Sequence, residues 1–191
     1  MITPFEDRFG PDGPLLINPP RFGDSRGWFS ETYNKAKLNA AGFDHQFVQD
    51  NASFSALKGT LRGLHYQAPP MAQGKLVSVF AGAILDVAVD IREGSPSYGR
   101  HIAIELTAET GNQLFVPAGF LHGFITLSDN CLVAYKVTVH YSHPHDGSIA
   151  WNDPDLDIDW GTDQPILSDK DQAAPRLNAI DPIFPVGWDK A

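Results

Sequence analysis

Apolar residues recur along this chain in short runs cut by glycine and proline. From residue 76 onward their period is two. Leu76-Val77-Ser78-Val79-Phe80 runs into Ala81-Gly82, a turn signal. Residues 84–91 place Leu85, Val87, Val89 and Ile91 on one face and Asp86 and Asp90 on the other. Residues 101–106 alternate in the same way. Residues 113–117, 132–139 and 149–151 continue the series, with Val133, Tyr135, Val137 and Val139 sharing a face. Upstream, residues 15–17, 28–29 and 47–51 read as strands, and residues 53–59 as the turn into a further run at 60–67. The best helix candidate is 34–41, with Asn34 to cap it and Gly42 to end it. Residues 1–14 read as a loose lead-in broken by Pro4, Gly10, Pro11, Gly13 and Pro14. Beyond Asn152 acidic residues and prolines predict loops and short helical turns, one of them at 170–175. Many short strands between Gly and Pro turns predict an all-β sandwich or barrel. A jelly roll with a ligand in its mouth is the natural form, as a single domain over 1–191 with 152–191 as an extension.

Composition narrows the class. The 191 residues are 42% hydrophobic and 19% charged, with 15 Pro and 17 Gly, which suits a soluble, turn-rich fold with a full core. A formal charge of −9 argues against nucleic acid or an anionic membrane as partner. It leaves room for one phosphate-bearing ligand held by a few local cations. The single cysteine, Cys131, lies in an apolar run and reads as buried and structural. No basic-then-apolar opening and no apolar run of membrane-spanning length is present, so a cytoplasmic protein is expected.

Two stretches carry chemistry that a plain strand does not need. In Thr60-Leu61-Arg62-Gly63-Leu64-His65-Tyr66-Gln67, with Lys75 downstream, a guanidinium, an imidazole and an ammonium stand among apolar residues. Arg62 suits phosphate, His65 can move a proton near neutral pH, and Lys75 can sit beside a developing negative charge. A sheet edge with solvated charges fits the same residues equally well. Arg62 and His65 are three apart and would face opposite sides of a regular strand. Both reach one ligand only if the strand bulges at Gly63 or Arg62 lies near the mouth. In the second stretch, residues 117–124, His122 stands among bulky apolar residues and glycines that let a backbone approach a ligand. The other reading there is a core histidine with a satisfied ring. A metal is not expected. The residue two after His65 is Gln67 and the one two before is Gly63, and the loop cluster His140, His143 and His145 lacks a paired arrangement.

In this order and spacing, the motifs resemble the dTDP-4-dehydrorhamnose 3,5-epimerase family. They are Gly23-Asp24-Ser25-Arg26-Gly27 with Glu31, residues 47–51, residues 61–67, Gln73-Gly74-Lys75-Leu76, residues 117–124, Tyr135-Lys136 and Lys170-Asp171. The resemblance spans about residues 22–175 and implies a metal-free, cofactor-free epimerase on a cupin-like jelly roll. It implies His65 as general base, Asp171 as the carboxylate that orients it, Tyr135 as general acid and Lys75 as support for an enolate. It implies substrate contacts at Arg26, Glu31, Gln49, Asp50, Asn51, Arg62, His122 and Lys170, and stacking of Tyr141 on a thymine ring. Asp146 falls where the family commonly has Glu, which keeps the charge and shortens the reach. The implied substrate is a dTDP-4-keto-6-deoxy sugar and the implied assembly a homodimer, with Arg26 and Glu31 serving the partner's site. An epimerase of the same family inverting only C5 or only C3 of another sugar would carry the same residues, and a sugar-nucleotide-binding roll without catalysis is a third reading.

Overall fold

A computed structural model describes residues 1–190. Two antiparallel sheets face each other. The first contains β1 (Ile2–Pro4), β2 (Leu15–Ile17), β5 (Gln49–Ser55), β7 (Lys75–Ala81), β10 (Gln113–Val116) and β12 (Cys131–Val137), in the order β1-β2-β10-β7-β12-β5. The second contains β6 (Leu61–Gln67), β8 (Ala83–Asp90), β9 (His101–Thr107), β11 (Phe120–Thr126) and β13 (Asp146–Ser148), in the order β13-β6-β11-β8-β9. A separate hairpin joins β3 (Arg21–Asp24) to β4 (Gly27–Ser30). This is the jelly-roll sandwich that the strand pattern predicts.

Between the sheets lies a core of Val77, Val79, Ile84, Ala88, Ile102, Leu106, Leu114, Val116, Phe120, Phe124 and Val133. Cys131 belongs to it and is fully buried, as read from its apolar run. A second core forms on the outer face of the five-stranded sheet. There the segment after Asn152 lays Leu156, Trp160 and Phe184 over Leu61, Val87, Val89 and Leu121. Strands β8 and β11 are therefore covered on both faces. Residues 84–91 divide into the two faces that the sequence shows, and Asp86 and Asp90 take the face that points into the roll, each 0% exposed. Asp90 is neutralised there by Arg92, at 2.7 Å, and by the hydroxyls of Ser95 and Ser97.

Three segments differ from expectation. Residues 1–14 are not loose. Strand β1 pairs with β2, and Pro4 is tolerated because β1 is the sheet edge. Helix α1 (Glu6–Phe9) inserts Phe9 edge-on against Phe120, 5.7 Å between centroids. Strand β5 continues to Ser55 rather than turning at Ser53, because β12 pairs with it along its whole length. The last strand is β13, with residues 149–151 lying just beyond it. Helix α2 (Lys35–Ala40) starts as expected, with the Asn34 side chain accepting from the Lys37 N–H, and Gly42 follows it at φ +86°. After Asn152 only single 3₁₀ turns and α3 (Asp169–Gln172) are regular among the described residues.

Gly63 decides what β6 can present. Its φ is +134°, and a Cβ there would lie 2.5 Å from the Cα of Gly123 on β11. Gly63 and Gly123 thus let two backbones touch, so Gly123 serves strand packing rather than ligand approach. The register shifts at this point: His65 pairs with His122 and Arg62 with Phe124, three residues on β6 against two on β11. The bulge turns Arg62 and His65 to the same face.

Candidate active site

Side chains from both sheets converge on one cavity of about 350 Å³. The five-stranded sheet supplies Arg62 and His65 from β6 and His122 from β11. The six-stranded sheet supplies Lys75 from β7 and Tyr135 from β12, so His65 and Tyr135 stand on facing walls. The cavity continues past His65, Lys75, Tyr135 and Lys170 into a second chamber of about 340 Å³ lined by Gln49, Asn51, Tyr141 and Asp146.

His65 owes its place to three elements. The bulge aims it inward. Backbone pairing of Leu61 N–H with Ile166 O, at 2.9 Å, brings residues 166–168 alongside β6. Ser168 then caps α3 and delivers Asp171, whose Oδ1 lies 2.6 Å from His65 Nε2. Asp171 is 4% exposed. Burial raises its pKa, but hydrogen bonds from His65, from the Ser168 hydroxyl and from the Gly63 N–H outweigh that and hold it below the usual carboxylate value. A carboxylate held ionised against one ring nitrogen fixes the tautomer and leaves the other nitrogen to take a proton.

Lys75 lies at the floor where the chambers meet. Burial pushes its ammonium down to about 8, while Asp146 and Asp86 oppose the fall and Lys170 adds to it. Tyr135 moves the other way. Burial raises its phenol, Arg62 works against that, and Asp146 adds to it. The hydroxyl is therefore protonated at neutral pH and available as a donor. His122 is both of the things its sequence suggested: it lines the cavity, and its Nε2 is paired with the buried Asp86 at 2.7 Å. Among the described residues no three His, Cys, Asp or Glu side chains converge as a metal would require.

The second chamber is held by hydrogen bonds among its side chains and to the backbone of the Tyr141 loop. Gln49 Nε2 donates to Asn51 Oδ1, and Gln49 Oε1 accepts from the Tyr141 N–H at 3.1 Å. The buried Gln67 accepts from the Ser142 N–H and donates to Met71 O, fixing the same loop. Asp146 Oδ2 accepts from Lys170 at 2.6 Å and from the Tyr141 hydroxyl at 3.2 Å. The shorter Asp side chain thus still organises a cation and an aromatic ring at the mouth.

Three residues singled out in the sequence lie elsewhere. Asp50 alternates with Gln49 and Asn51, so it faces the outside of the sheet and pairs with Lys136 at 2.8 Å. Arg26 sits on the β3–β4 hairpin paired with Asp24, and Glu31 just after it paired with Lys37 and Asn34. Neither Arg26 nor Glu31 lines the cavity of its own chain. Conversely, sequence reasoning missed Asp86, Ser168 and Ser53 as parts of the site. Asp86 was visible as a lone acid repeating with Asp90 along an apolar strand. Ser168 depends on a loop return that no local pattern signals.

The family profile for dTDP-4-dehydrorhamnose 3,5-epimerase matches residues 11–179. A dTDP-4-dehydrorhamnose 3,5-epimerase of Sinorhizobium fredii is 50% identical over 163 residues, 85% of this chain and 84% of its own. A crystal structure of the Bacillus anthracis enzyme of that name, with TDP and PPi bound, superposes with a TM-score of 0.88 at 47% identity, covering 93% of this chain and 100% of that one. A dTDP-6-deoxy-D-glucose-3,5-epimerase from Legionella pneumophila, in complex with dTDP-4-keto-L-rhamnose, gives 0.84 at 47% identity over 88% and 89%. The matched profile covers every strand but β1, and α3 with them, and the chain belongs to the dTDP-4-dehydrorhamnose 3,5-epimerase family.

Proposed function

We propose that this protein inverts C3 and C5 of dTDP-4-dehydro-6-deoxy-D-glucose, giving dTDP-4-dehydro-L-rhamnose for deoxysugar synthesis. The observation that carries the reading is His65 on one sheet, paired with Asp171 of α3, facing Tyr135 on the other sheet across a shared cavity. Both reacting carbons flank a ketone, so loss of either proton leaves an enolate. Inversion needs the proton to leave one face and return on the other. His65 takes it, with Asp171 stabilising the imidazolium. Tyr135 returns one from the facing wall. Lys75, on the strand next to that of Tyr135 and lining the same cavity, is the cation for the enolate oxygen. Each proton-transfer group contributes about 10²–10⁴ in rate.

The second chamber suits the nucleotide. Lys170, with Arg62 from the adjoining first cavity, offers charge to the diphosphate, Tyr141 a ring for the thymine, and Gln49 and Asn51 amides for its edge. The assignment of these roles rests on their position in the cavity and on the ligands named for the relatives. We also infer a homodimer. The β3–β4 hairpin pairs with neither sheet and exposes Phe22, Trp28 and Phe29, which a second copy would cover. Arg26 and Glu31 would then reach the partner's cavity. A cytoplasmic location is inferred from the proposed substrate, a nucleotide-activated sugar. Among the described residues no helix is long and apolar enough to cross a membrane.

Proton NMR of the 4-keto sugar nucleotide with the protein in deuterated water tests the reading. Deuterium at both C3 and C5, with the inverted sugar trapped by a reductase, is expected. Deuterium at one carbon would reduce the activity to a mono-epimerase, and none at either would leave only binding.

A further inference from the structure

Two buried side-chain polar atoms have no partner among the described residues, Asp86 Oδ2 behind His122 and Ser53 Oγ, and of the two only Ser53 lines the cavity. Ser53 lies on β5, on the inward row Gln49, Asn51, Ser53, Ser55. Its neighbours on that row are occupied. Gln49 and Asn51 bond to each other, and Ser55 accepts from Arg62 Nε at 3.2 Å. Across the strand pair it stands opposite Val133, one inward position from Tyr135. A hydroxyl buried against valine and unpaired is costly to the folded chain. Such a cost is tolerated at a site where a ligand repays it.

We propose that Ser53 is a specificity-determining residue that hydrogen-bonds the C2 hydroxyl of the substrate's sugar ring. The inference rests on the reaction proposed above. The ligand group follows from the chemistry. C4 is a ketone claimed by Lys75, C6 carries no oxygen, and the C3 hydroxyl changes face during the reaction. The C2 hydroxyl alone keeps its configuration through both inversions, so a fixed hydroxyl on a strand can hold it throughout. The diphosphate has charged partners in Arg62 and Lys170 and does not need a neutral one. A bond at C2 anchors the ring beside the carbon being deprotonated, and a site built to bond a hydroxyl discriminates against a sugar lacking it.

The test pairs Ser53→Ala with dTDP-4-keto-2,6-dideoxyglucose, the same nucleotide without the C2 hydroxyl. For the wild-type protein kcat/KM should fall about tenfold on the dideoxy sugar, the factor expected for one lost hydrogen bond. Ser53→Ala should lose about as much on the ordinary sugar and lose nothing further on the dideoxy sugar, since the two changes remove one interaction. Removing the orphan hydroxyl should also raise the melting temperature of the free protein by a few degrees, whereas a structural serine would lower it. Equal losses on both sugars, or wild-type kinetics for Ser53→Ala, would overturn the assignment. A wild-type protein that exchanges no proton in either sugar would instead overturn the epimerase reading on which it rests.

Discussion

At the scale of single residues the proposed base, acid and cation differ in environment. His65 is held by an ionised, buried Asp171, so removing the two should have different signatures. His65→Ala should cut solvent exchange at C3 and C5 by about 10²–10⁴ while thymidine diphosphate still binds within a few-fold. Asp171→Asn should lower kcat with little change in KM, because the neutral amide cannot stabilise an imidazolium. Isothermal titration and exchange rates read these separately, and a His65→Ala chain that exchanged at the wild-type rate would remove His65 from the mechanism. Lys75 gives a pH prediction. Its ammonium is lowered to about 8, so it is charged below that pH and neutral above it. The kcat/KM of the free enzyme should therefore decline on the alkaline side with a midpoint near that value. Tyr135 is displaced upward, so its ionisation comes later. Lys75→Arg, whose guanidinium does not deprotonate, should retain part of the rate and move the alkaline decline up. A profile unchanged in Lys75→Arg would show that another group sets it.

At the scale of elements the site depends on one irregularity in β6. Without the bulge at Gly63, Arg62 and His65 would face opposite sides of the sheet. Gly63→Ala should lower stability by about 2–5 kcal/mol, since the left-handed φ and the 2.5 Å approach to Gly123 both oppose a Cβ. Urea unfolding measures it, and a midpoint equal to wild type would mean the bulge does not need glycine. This element was legible in the chain, because spacing three on a strand with a glycine between is a contradiction that only a bulge resolves. The alternating strands, the Asn34 cap and the groups at 60–75 were equally legible, since each is a local pattern. What escaped was set by distant segments. The two faces of residues 84–91 are a local pattern, but Asp86 and Asp90 fall on the inward one only because residues after Asn152 cover the apolar one. Residues 1–14 look loose until Phe9 finds Phe120. Ser53 looks like a turn residue until β12 extends β5 past it. Asp50 is a site residue only by its match to the family motif, and the two-residue period of the strand turns it outward between Gln49 and Asn51.

At the scale of the whole molecule, one chain does not gather every residue that the family pattern assigns to the site. Arg26 and Glu31 stand on and beside a hairpin that pairs with neither sheet and exposes three aromatic rings. If that hairpin completes the cavity of a second copy, light scattering should give twice the chain mass of 20.9 kDa. Mass alone does not say whose cavity the hairpin serves, but mixing does. Arg26→Ala and His65→Ala should each be nearly inactive as separate preparations. Unfolded together in equal amounts and refolded, about half of the dimers should be hybrids by random pairing. In each hybrid, the Arg26→Ala chain keeps its own His65 and receives an intact Arg26 from its partner, so one of its two cavities is whole. Activity should then return to about a quarter of the wild-type level. If Arg26 served its own chain, every cavity in the mixture would lack either the base or the arginine, and mixing would restore nothing. Recovery therefore separates a site shared between subunits from two self-contained sites that merely lie in a dimer.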